Sequence, residues 1–218
     1  MRSNDAATSV PRRGAVVADA GSLPGVLHAD LLTEGLAVRD GFLSPPRVLG
    51  LHECAARRRV RGDFSPARVG AESRLQTRRE IRGDSTCWLA EPLFAEERAL
   101  LDDLERLRLE FNREGYLGLF DLELHYARYP SGAGYARHLD QPLGRDQRRV
   151  SVILYLNPEW PAAAGGELRV FDGAQGHRDI EPIGGRLVCF LTAGREHEVL
   201  PARRDRLSVS GWFRSRER

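Results

Sequence analysis

The sequence contains no lysine, so all 33 of its basic side chains are arginines. Chemistry that needs a side-chain amine, such as Schiff-base catalysis or the phosphate loop of Walker-type nucleotide-binding proteins, is therefore excluded. Any side chain that holds a carboxylate by charge must be a guanidinium, which binds carboxylates through two parallel hydrogen bonds.

Cysteine is scarce too, and Cys54, Cys87 and Cys189 are widely separated. Three cysteines at this spacing match neither a disulfide framework nor a Cys-x-x-Cys zinc site, so we interpret them as reduced thiols. No stretch approaches the roughly 18 uninterrupted apolar residues of a transmembrane helix, and the first residues lack the layout of a secretory signal. We expect a cytoplasmic protein that does not bind membranes.

The 218 residues can form one core with an additional arm. A formal net charge of +2 is too small to indicate nucleic-acid binding. We also expect the protein to be a monomer. Residues 1–30 are predicted to form a poorly ordered arm, and residues 31–218 a single domain. The polar, arginine-rich stretch 61–80 predicts either a solvated loop or a mobile flap beside an active site.

Helical periodicity is clear in residues 47–59 and 92–114, each of which carries an apolar stripe. After Gly118 the pattern changes to short strands separated by turns, which predicts a mainly antiparallel β structure. The economical fold is a jelly roll over about residues 118–214, with the helices packed on one of its two sheets. The predicted strands are 36–38, 87–89, 122–129, 150–156, 168–171, 187–191 and 207–213.

Two histidines and one aspartate form the strongest candidate site. His138 and Asp140 lie two residues apart after a glycine-rich turn, and His197 follows much later. Two imidazoles and one carboxylate are the ligand set that holds non-heme Fe(II) on one face and leaves the other positions open. The remaining histidines have no comparable partners and are interpreted as structural or surface groups; they are His28, His52, His125 and His177.

A second feature is the alternation along the last predicted strand. Its polar face consists of Arg206, Ser208, Ser210 and Trp212. In a plain sandwich Arg206 would lie at the surface, whereas a pocket lined by this face would suit a dicarboxylate. Ile153 and Tyr155 share one face of an earlier strand, and Tyr155 could donate a hydrogen bond into the same pocket.

The stretch from Arg82 to Phe213 resembles the prolyl 4-hydroxylase-like branch of the Fe(II)/2-oxoglutarate-dependent oxygenases, especially the hypoxia-inducible-factor prolyl hydroxylases and their bacterial relatives. The matching segments are Arg-Gly-Asp at 82–84 with Trp88, Tyr-Pro-Ser-Gly at 129–132, Tyr-Ala-Arg-His-Leu-Asp at 135–140, Tyr-Leu-Asn at 155–157, Gly-Gly-Glu-Leu-Arg at 165–169, Asp-Ile-Glu-Pro at 179–182, His-Glu-Val-Leu-Pro-Ala at 197–202, Arg206, and Trp-Phe at 212–213. The resemblance therefore extends over most of the chain beyond residue 80.

The resemblance implies a double-stranded β-helix in which Fe(II) is bound by His138, Asp140 and His197. It implies that 2-oxoglutarate is the co-substrate, with its distal carboxylate paired with Arg206. The residues implied to surround the co-substrate are Arg206, Tyr155, Tyr129, Ser210, Ile153 and Trp212. Those implied to line the protein-substrate groove are Arg82, Asp84, Trp88 and Arg149. O₂ is the implied second co-substrate, and the expectation extends to ascorbate.

The activity implied is hydroxylation of a prolyl residue in a protein, with O₂ consumed and succinate and CO₂ released, in a role such as oxygen sensing. A proline-bearing loop of an abundant protein, such as a translation factor, is a candidate substrate. Two alternatives stay open at this point. The substrate could be a small molecule or a free amino acid, or the jelly roll could be a metal-binding module without turnover.

Overall fold

A computed structural model describes residues 25–68, 78, 81–141, 147–173 and 176–216. Most of the predicted N-terminal arm and much of the predicted flap lie outside the described residues. The described structure begins with a helix at Gly25, inside the region predicted as an arm. None of the helices in the described part of the chain has the length and apolarity needed to span a bilayer.

Three helices are described: α1 (Gly25–Glu34), α2 (Pro45–Val60) and α3 (Ala95–Gly115). α2 begins with two prolines after Ser44, at positions where a missing backbone N–H leaves no helical hydrogen bond unmade. α3 ends where Tyr116 takes a left-handed backbone conformation, with φ of 51°. The helices predicted at 47–59 and 92–114 are confirmed within a few residues at their ends, whereas α1 was not predicted.

The described residues form eleven strands. In chain order they are β1 (Leu36–Arg39), β2 (Ser65–Pro66), β3 (Ser85–Trp88), β4 (Leu119–Tyr129), β5 (Tyr135–His138), β6 (Arg148–Tyr155), β7 (Leu168–Phe171), β8 (His177–Ile180), β9 (Leu187–Leu191), β10 (His197–Val199) and β11 (Arg206–Ser215). Every strand predicted from the sequence has a counterpart here. The short strands β2, β5, β8 and β10 were not predicted.

The strands form two antiparallel sheets, which confirms the jelly-roll prediction. The larger sheet has seven strands in the order β1-β9-β6-β11-β4-β3-β2, and the smaller has four in the order β5-β10-β7-β8. Strands far apart in sequence are neighbours: β11 pairs with β4 along its whole length, and β10 pairs with β5 and β7. These long-range pairings bring the candidate residues together.

The larger sheet separates two apolar clusters. Leu207, Val209 and Phe213 of β11 belong to the cluster that the three helices cover, so the helices pack on one sheet as predicted. Side chains of both sheets, including Tyr155 and Val199, form the second cluster between the sheets. Because side chains alternate along a strand, the polar face of β11 points into this inter-sheet space.

A buried ion pair fixes α2 against α3. Two guanidinium nitrogens of Arg58 donate hydrogen bonds of 2.7 Å to the two carboxylate oxygens of Glu97, whose residue has no exposed surface. The hydroxyl of Tyr126 in β4 donates a further bond of 3.1 Å to Glu97. Burial raises the pKa of the Glu97 carboxyl, but Arg58 and the other donors outweigh burial and lower the pKa below its usual range. The helices and the large sheet are thereby locked together.

Candidate active site

His138, Asp140 and His197 lie together between the two sheets. Their candidate ligand atoms all lie within 4.8 Å of one another. Nε2 of His138 is 3.5 Å from one carboxylate oxygen of Asp140, and Nε2 of His197 is 3.6 Å from the other. Three donors converge on one point, as the binding of a metal ion requires.

Strand pairing explains why the two histidines meet. His138 is the last residue of β5, and His197 is directly opposite it in β10. Side chains directly opposite each other across antiparallel strands are close neighbours, and here the two imidazole centroids are 4.2 Å apart. Asp140 follows two residues after His138, where the chain has left the strand. The His-x-Asp spacing thus places one ligand on the strand and the next just beyond its end.

Hydrogen bonds fix which nitrogen of each imidazole faces the centre. Nδ1 of His138 lies 2.8 Å from the carbonyl oxygen of Ala136, and Nδ1 of His197 lies 3.3 Å from that of Arg195. A carbonyl only accepts, so each Nδ1 donates its proton to that carbonyl, and Nε2 is the nitrogen of each ring that faces the centre of the site. This is the tautomer that a metal ligand needs.

The charge states of the site also suit a metal ion. Burial raises the pKa of the Asp140 carboxyl, but the facing imidazoles of His197 and His138 and a 2.6 Å hydrogen bond from the Ser151 hydroxyl outweigh it. The pKa of Asp140 is therefore held well below its usual range, and the carboxylate is ionised. Burial lowers the pKa of His197, which favours the neutral imidazole.

Aromatic packing restrains the two imidazoles. The Tyr135 ring stacks on His138 with centroids 3.5 Å apart, and Phe190 meets His197 at 4.7 Å. Tyr135 also lies 4.7 Å from the guanidinium of Arg82, which forms hydrogen bonds of 2.7 and 3.0 Å with Asp84. Arg82 and Asp84 thus restrain Tyr135, which in turn packs on His138.

Arg206 lies in the same cavity as the two histidines and Asp140, and only 1% of its surface is exposed. Within the described residues its one hydrogen bond runs from Nε to the carbonyl oxygen of Gly166, at 2.9 Å. Its guanidinium carbon lies 5.1 Å from the ring centroid of Tyr129 and 5.0 Å from that of Tyr155. The hydroxyl of Tyr155 is buried without a partner among the described residues.

This arrangement fits a dicarboxylate that reaches from a metal ion to Arg206. An unpartnered buried hydroxyl costs about 1–3 kcal/mol, and a carboxylate beside Tyr155 would accept its hydrogen bond and pair with Arg206. The other end of such a molecule would reach His138, Asp140 and His197. The donor set, the buried hydroxyl and the guanidinium thus agree with Fe(II) and 2-oxoglutarate.

Comparison with known proteins identifies the family. Residues 124–214 match the model of the 2OG-Fe(II) oxygenase superfamily. Over 177 residues the chain is 34% identical to the prolyl hydroxylase EGLN3 of Mus musculus, covering 77% of this chain and 70% of that relative. The chain belongs to the Fe(II)- and 2-oxoglutarate-dependent oxygenases. Fe(II) is the metal of that family, and 2-oxoglutarate and O₂ are its co-substrates.

Other relatives place this oxygenase close to the prolyl hydroxylases. It is 33% identical over 196 residues to Egl nine homolog 1 of Homo sapiens, covering 82% of this chain and 43% of that protein. The oxygenase thus spans about half the length of several relatives that it matches. A prolyl-4-hydroxylase of Pseudomonas putida superposes with a TM-score of 0.80 at 40% identity, covering 88% of this chain and 98% of that one. A Trichoplax adhaerens prolyl hydroxylase, solved with a hypoxia-inducible-factor peptide fragment, gives a TM-score of 0.79 at 29% identity, covering 88% of each chain.

The oxygenase brings the predicted co-substrate residues into one cavity. Besides Arg206, the lining includes Tyr129, Ile153, Ser210 and Trp212, whereas Tyr155 is buried next to Arg206. The predicted substrate residues are more scattered. Arg82 lines the cavity and Asp84 pairs with it, while Trp88 lies half-exposed at the edge. Their individual roles stay predictions.

Arg149 does not line the cavity, and its neighbour Arg148 lies beside it instead. Phe213 is opposite Val150, but Arg214 is opposite Arg148, so β6 contains an extra residue at Arg149. Such a β-bulge reverses the facing that simple alternation predicts. The Arg148 guanidinium stacks 3.5 Å from the Trp212 ring. Arg149 is exposed, and its role in the protein-substrate groove stays a prediction.

His125 of β4, which was interpreted from the sequence as a structural or surface group, is a further residue of the cavity. His125 lines the cavity, with its ring between those of Trp88 at 4.7 Å and Trp212 at 5.6 Å. Burial lowers the pKa of His125 to about 3, so its imidazole is neutral, and its Nδ1 has no partner among the described residues. The available signal was alternation, because His125 shares a strand face with Tyr129.

Proposed function

We propose that this oxygenase hydroxylates a prolyl residue in a protein substrate. The observation that carries the proposal is a single cavity that offers a His-Asp-His metal site and a buried arginine suited to the far end of 2-oxoglutarate. The prolyl substrate is supported by the likeness to proteins named as prolyl hydroxylases, including one with 40% identity over nearly its whole length.

When bound, iron and 2-oxoglutarate supply the oxidising chemistry, in which O₂ is consumed, succinate and CO₂ are released and a C–H bond becomes an alcohol. His138, Asp140 and His197 would hold the metal on one side and leave the remaining positions to ligands. Arg206 would orient the co-substrate through its distal carboxylate. The apolar side chains of Ile153, Leu168 and Val199 also line the cavity and would exclude water from it.

A protein substrate is supported by surface features beyond the cavity. Trp88 is 51% exposed at its edge. A neighbouring cleft of about 260 Å³, lined by residues that include Pro66, Arg82, Asp84 and Pro130, extends the binding surface. An extended peptide needs flanking surface of this kind, whereas a free amino acid needs only the cavity. The Trichoplax structure, which contains a peptide fragment, supports the same choice.

Three finer parts of the proposal rest on the resemblance alone. They are binding of ascorbate, a role in oxygen sensing, and a substrate with a proline-bearing loop such as a translation factor. A cytoplasmic monomer is also part of the proposal, as expected from the sequence. Hydroxylation of a small molecule is the competing proposal, and one experiment separates the two.

The test uses Fe(II)-loaded protein with labelled 2-oxoglutarate, with and without a cell lysate. We expect the lysate to stimulate succinate release and mass spectrometry to find one added oxygen on a prolyl residue of a lysate protein. The Asp140→Ala variant is the control, because it lacks a metal ligand. Added oxygen on free metabolites alone would refute the protein substrate, and no succinate release would refute the enzymatic activity.

A further inference from the structure

A cleft of about 340 Å³ opens on the opposite face of the seven-stranded sheet from the active site. It lies between α2 and the place where β4 ends and β11 begins. Leu207 and Arg128 line it, and these two residues are paired directly across β11 and β4. The next pair along, Arg206 with Tyr129, faces the active-site cavity because side chains alternate. The second cleft therefore lies on the other face of the sheet from the active site, and Arg206 is the residue that borders both.

Positive charge predominates in this cleft. Arg59, Arg128 and Arg204 contribute three guanidinium groups, and Asp205 contributes one carboxylate. Arg206 also borders the cleft, but its guanidinium donates to Gly166 and lines the active-site cavity, so its charge belongs to the active site. Asp205 is already engaged, since Arg128 donates to one of its oxygens and the backbone N–H of Ser131 donates to the other at 3.2 Å. Three positive charges less one negative leave a formal excess of two, with His52 counted as neutral.

Two of these arginines retain unused hydrogen-bonding capacity. Among the described residues, the Arg59 side chain makes no hydrogen bond or ion pair. Arg204 makes one long bond, of 3.4 Å, to the carbonyl oxygen of Glu159, and its guanidinium lies 5.2 Å from the ring centroid of Trp160. Guanidinium groups with free N–H donors are the preferred partners of carboxylates and phosphates.

The floor of the cleft is apolar. Ala55 and Leu207 are 4% and 8% exposed, and Phe64 is half-buried beside them. An inorganic ion would gain nothing from these side chains, whereas an organic ligand would bury its apolar body against them. The volume lies at the small end of the roughly 300–1,000 Å³ range of small-molecule sites.

We propose that this cleft is a second ligand site, which binds a small organic anion with an apolar body, either a carboxylate or a phosphate monoester. The anionic group pairs with Arg59 and Arg204, and the apolar body covers Ala55, Phe64 and Leu207. The proposal does not depend on the proposed prolyl hydroxylation, because none of these side chains belongs to the active site.

The test is a fluorine NMR titration of Zn(II)-loaded protein saturated with 2-oxoglutarate, so that Arg206 is already occupied. The probes are 4-fluorobenzoate, 4-fluorophenyl phosphate and the uncharged 4-fluorobenzyl alcohol. We expect one or both anions to bind with a dissociation constant of about 1 mM or tighter, and the alcohol not to bind. Comparing the dissociation constants of the two anions shows whether the site prefers a carboxylate or a phosphate monoester.

The Arg59→Ala/Arg204→Ala double variant should bind the anion at least about 10-fold more weakly, since it lacks the two guanidinium groups that pair with the anionic group. Arg178→Ala, which removes an exposed arginine of β8, is the matched control and should bind like the wild type. Both variants should keep the wild-type circular dichroism spectrum and 2-oxoglutarate affinity. Three results would each refute the site: neither anion binds, the alcohol binds as tightly as the anions, or the double variant binds the anion like the wild type. None of these results would bear on the proposed catalysis.

Discussion

Arg206 illustrates how much depends on the shape of a single side chain. Arg206→Lys keeps the positive charge but loses the planar guanidinium that binds a carboxylate through two parallel hydrogen bonds. The hydrogen bond from Nε of Arg206 to the carbonyl oxygen of Gly166 is lost as well. We expect 2-oxoglutarate binding to weaken by about 1–3 kcal/mol, measured by calorimetric titration of the Zn(II)-loaded protein. Arg178→Lys is the control for a surface arginine. An unchanged dissociation constant for the Arg206 variant would mean that another residue binds the distal carboxylate.

Substitution of His125 should have opposite effects on stability and on activity. Its Nδ1 is buried without a partner among the described residues, between two tryptophan rings. His125→Phe keeps an aromatic ring in the stack but removes the unpartnered nitrogen, so the free energy of unfolding should rise by about 1 kcal/mol. Urea denaturation measures this change. If the nitrogen serves the substrate, the substrate Michaelis constant should rise as well, while 2-oxoglutarate affinity stays the same. A variant less stable than the wild type would show that the imidazole is satisfied in solution.

At the residue scale the metal site was predictable and its surroundings were less so. His138, Asp140 and His197 were recognisable because ligand type and the surrounding motifs agree. The position of Arg148 over the Trp212 ring was not predictable, because one extra residue in β6 reverses the facing that alternation predicts. The position of His125 in the cavity was not predicted for another reason: a lone histidine in a strand is more often structural, and nothing nearby in sequence marks Trp88 and Trp212 as its neighbours.

At the scale of elements, the longest strands and helices were predicted and the shortest were missed. β4 and β11 show several cycles of alternation, whereas β5 and β10 have four and three residues. Three or four residues are too few for a periodic pattern to emerge. Yet these two strands carry both metal-binding histidines. Their formation depends on pairing with each other and with β7, which is a tertiary interaction.

The buried pair between α2 and α3 predicts a large loss of stability. Glu97→Gln leaves the Arg58 guanidinium, whose side chain is 8% exposed, without its main counter-charge. We expect the free energy of unfolding at pH 7 to fall by about 3 kcal/mol in urea denaturation. Glu96→Gln is the matched control, since Glu96 is half-exposed and 3.9 Å from Arg57, and it should cost less than about 1 kcal/mol. Equal effects of the two variants would contradict this role.

The same pair predicts how stability varies with pH. The pKa of Glu97 is lower in the folded protein than its usual value of 4.5, because Arg58 and other donors outweigh burial. Its contribution is therefore complete above the unfolded-state pKa and is lost as pH falls through the folded-state value. The stability difference between wild type and Glu97→Gln should narrow in acid. A difference that stays constant from neutral to acidic pH would exclude ionised Glu97 as its source.

For the whole molecule, ligand binding should raise thermal stability in a defined order. A ligand that binds only the folded state stabilises it, by about 2.7 kcal/mol at 100 times its dissociation constant. Zn(II) with 2-oxoglutarate should therefore raise the unfolding temperature more than either alone, since both occupy one cavity. His197→Ala should remain folded but lose the combined shift. Scanning fluorimetry measures this, and an undiminished shift in that variant would place the metal elsewhere.

The two halves of the active site come from different sheets. His138 and His197 lie on the small sheet and Arg206 and Tyr155 on the large one, and Ser151 links the halves through its hydrogen bond to Asp140. A co-substrate bound at both ends is therefore a non-covalent cross-link between the sheets. Amide hydrogen exchange in β5 and β10 should slow when this cross-link forms, while the long pairing of β4 with β11 needs no such support. The rigidity of the small sheet would then increase with the concentration of 2-oxoglutarate in solution.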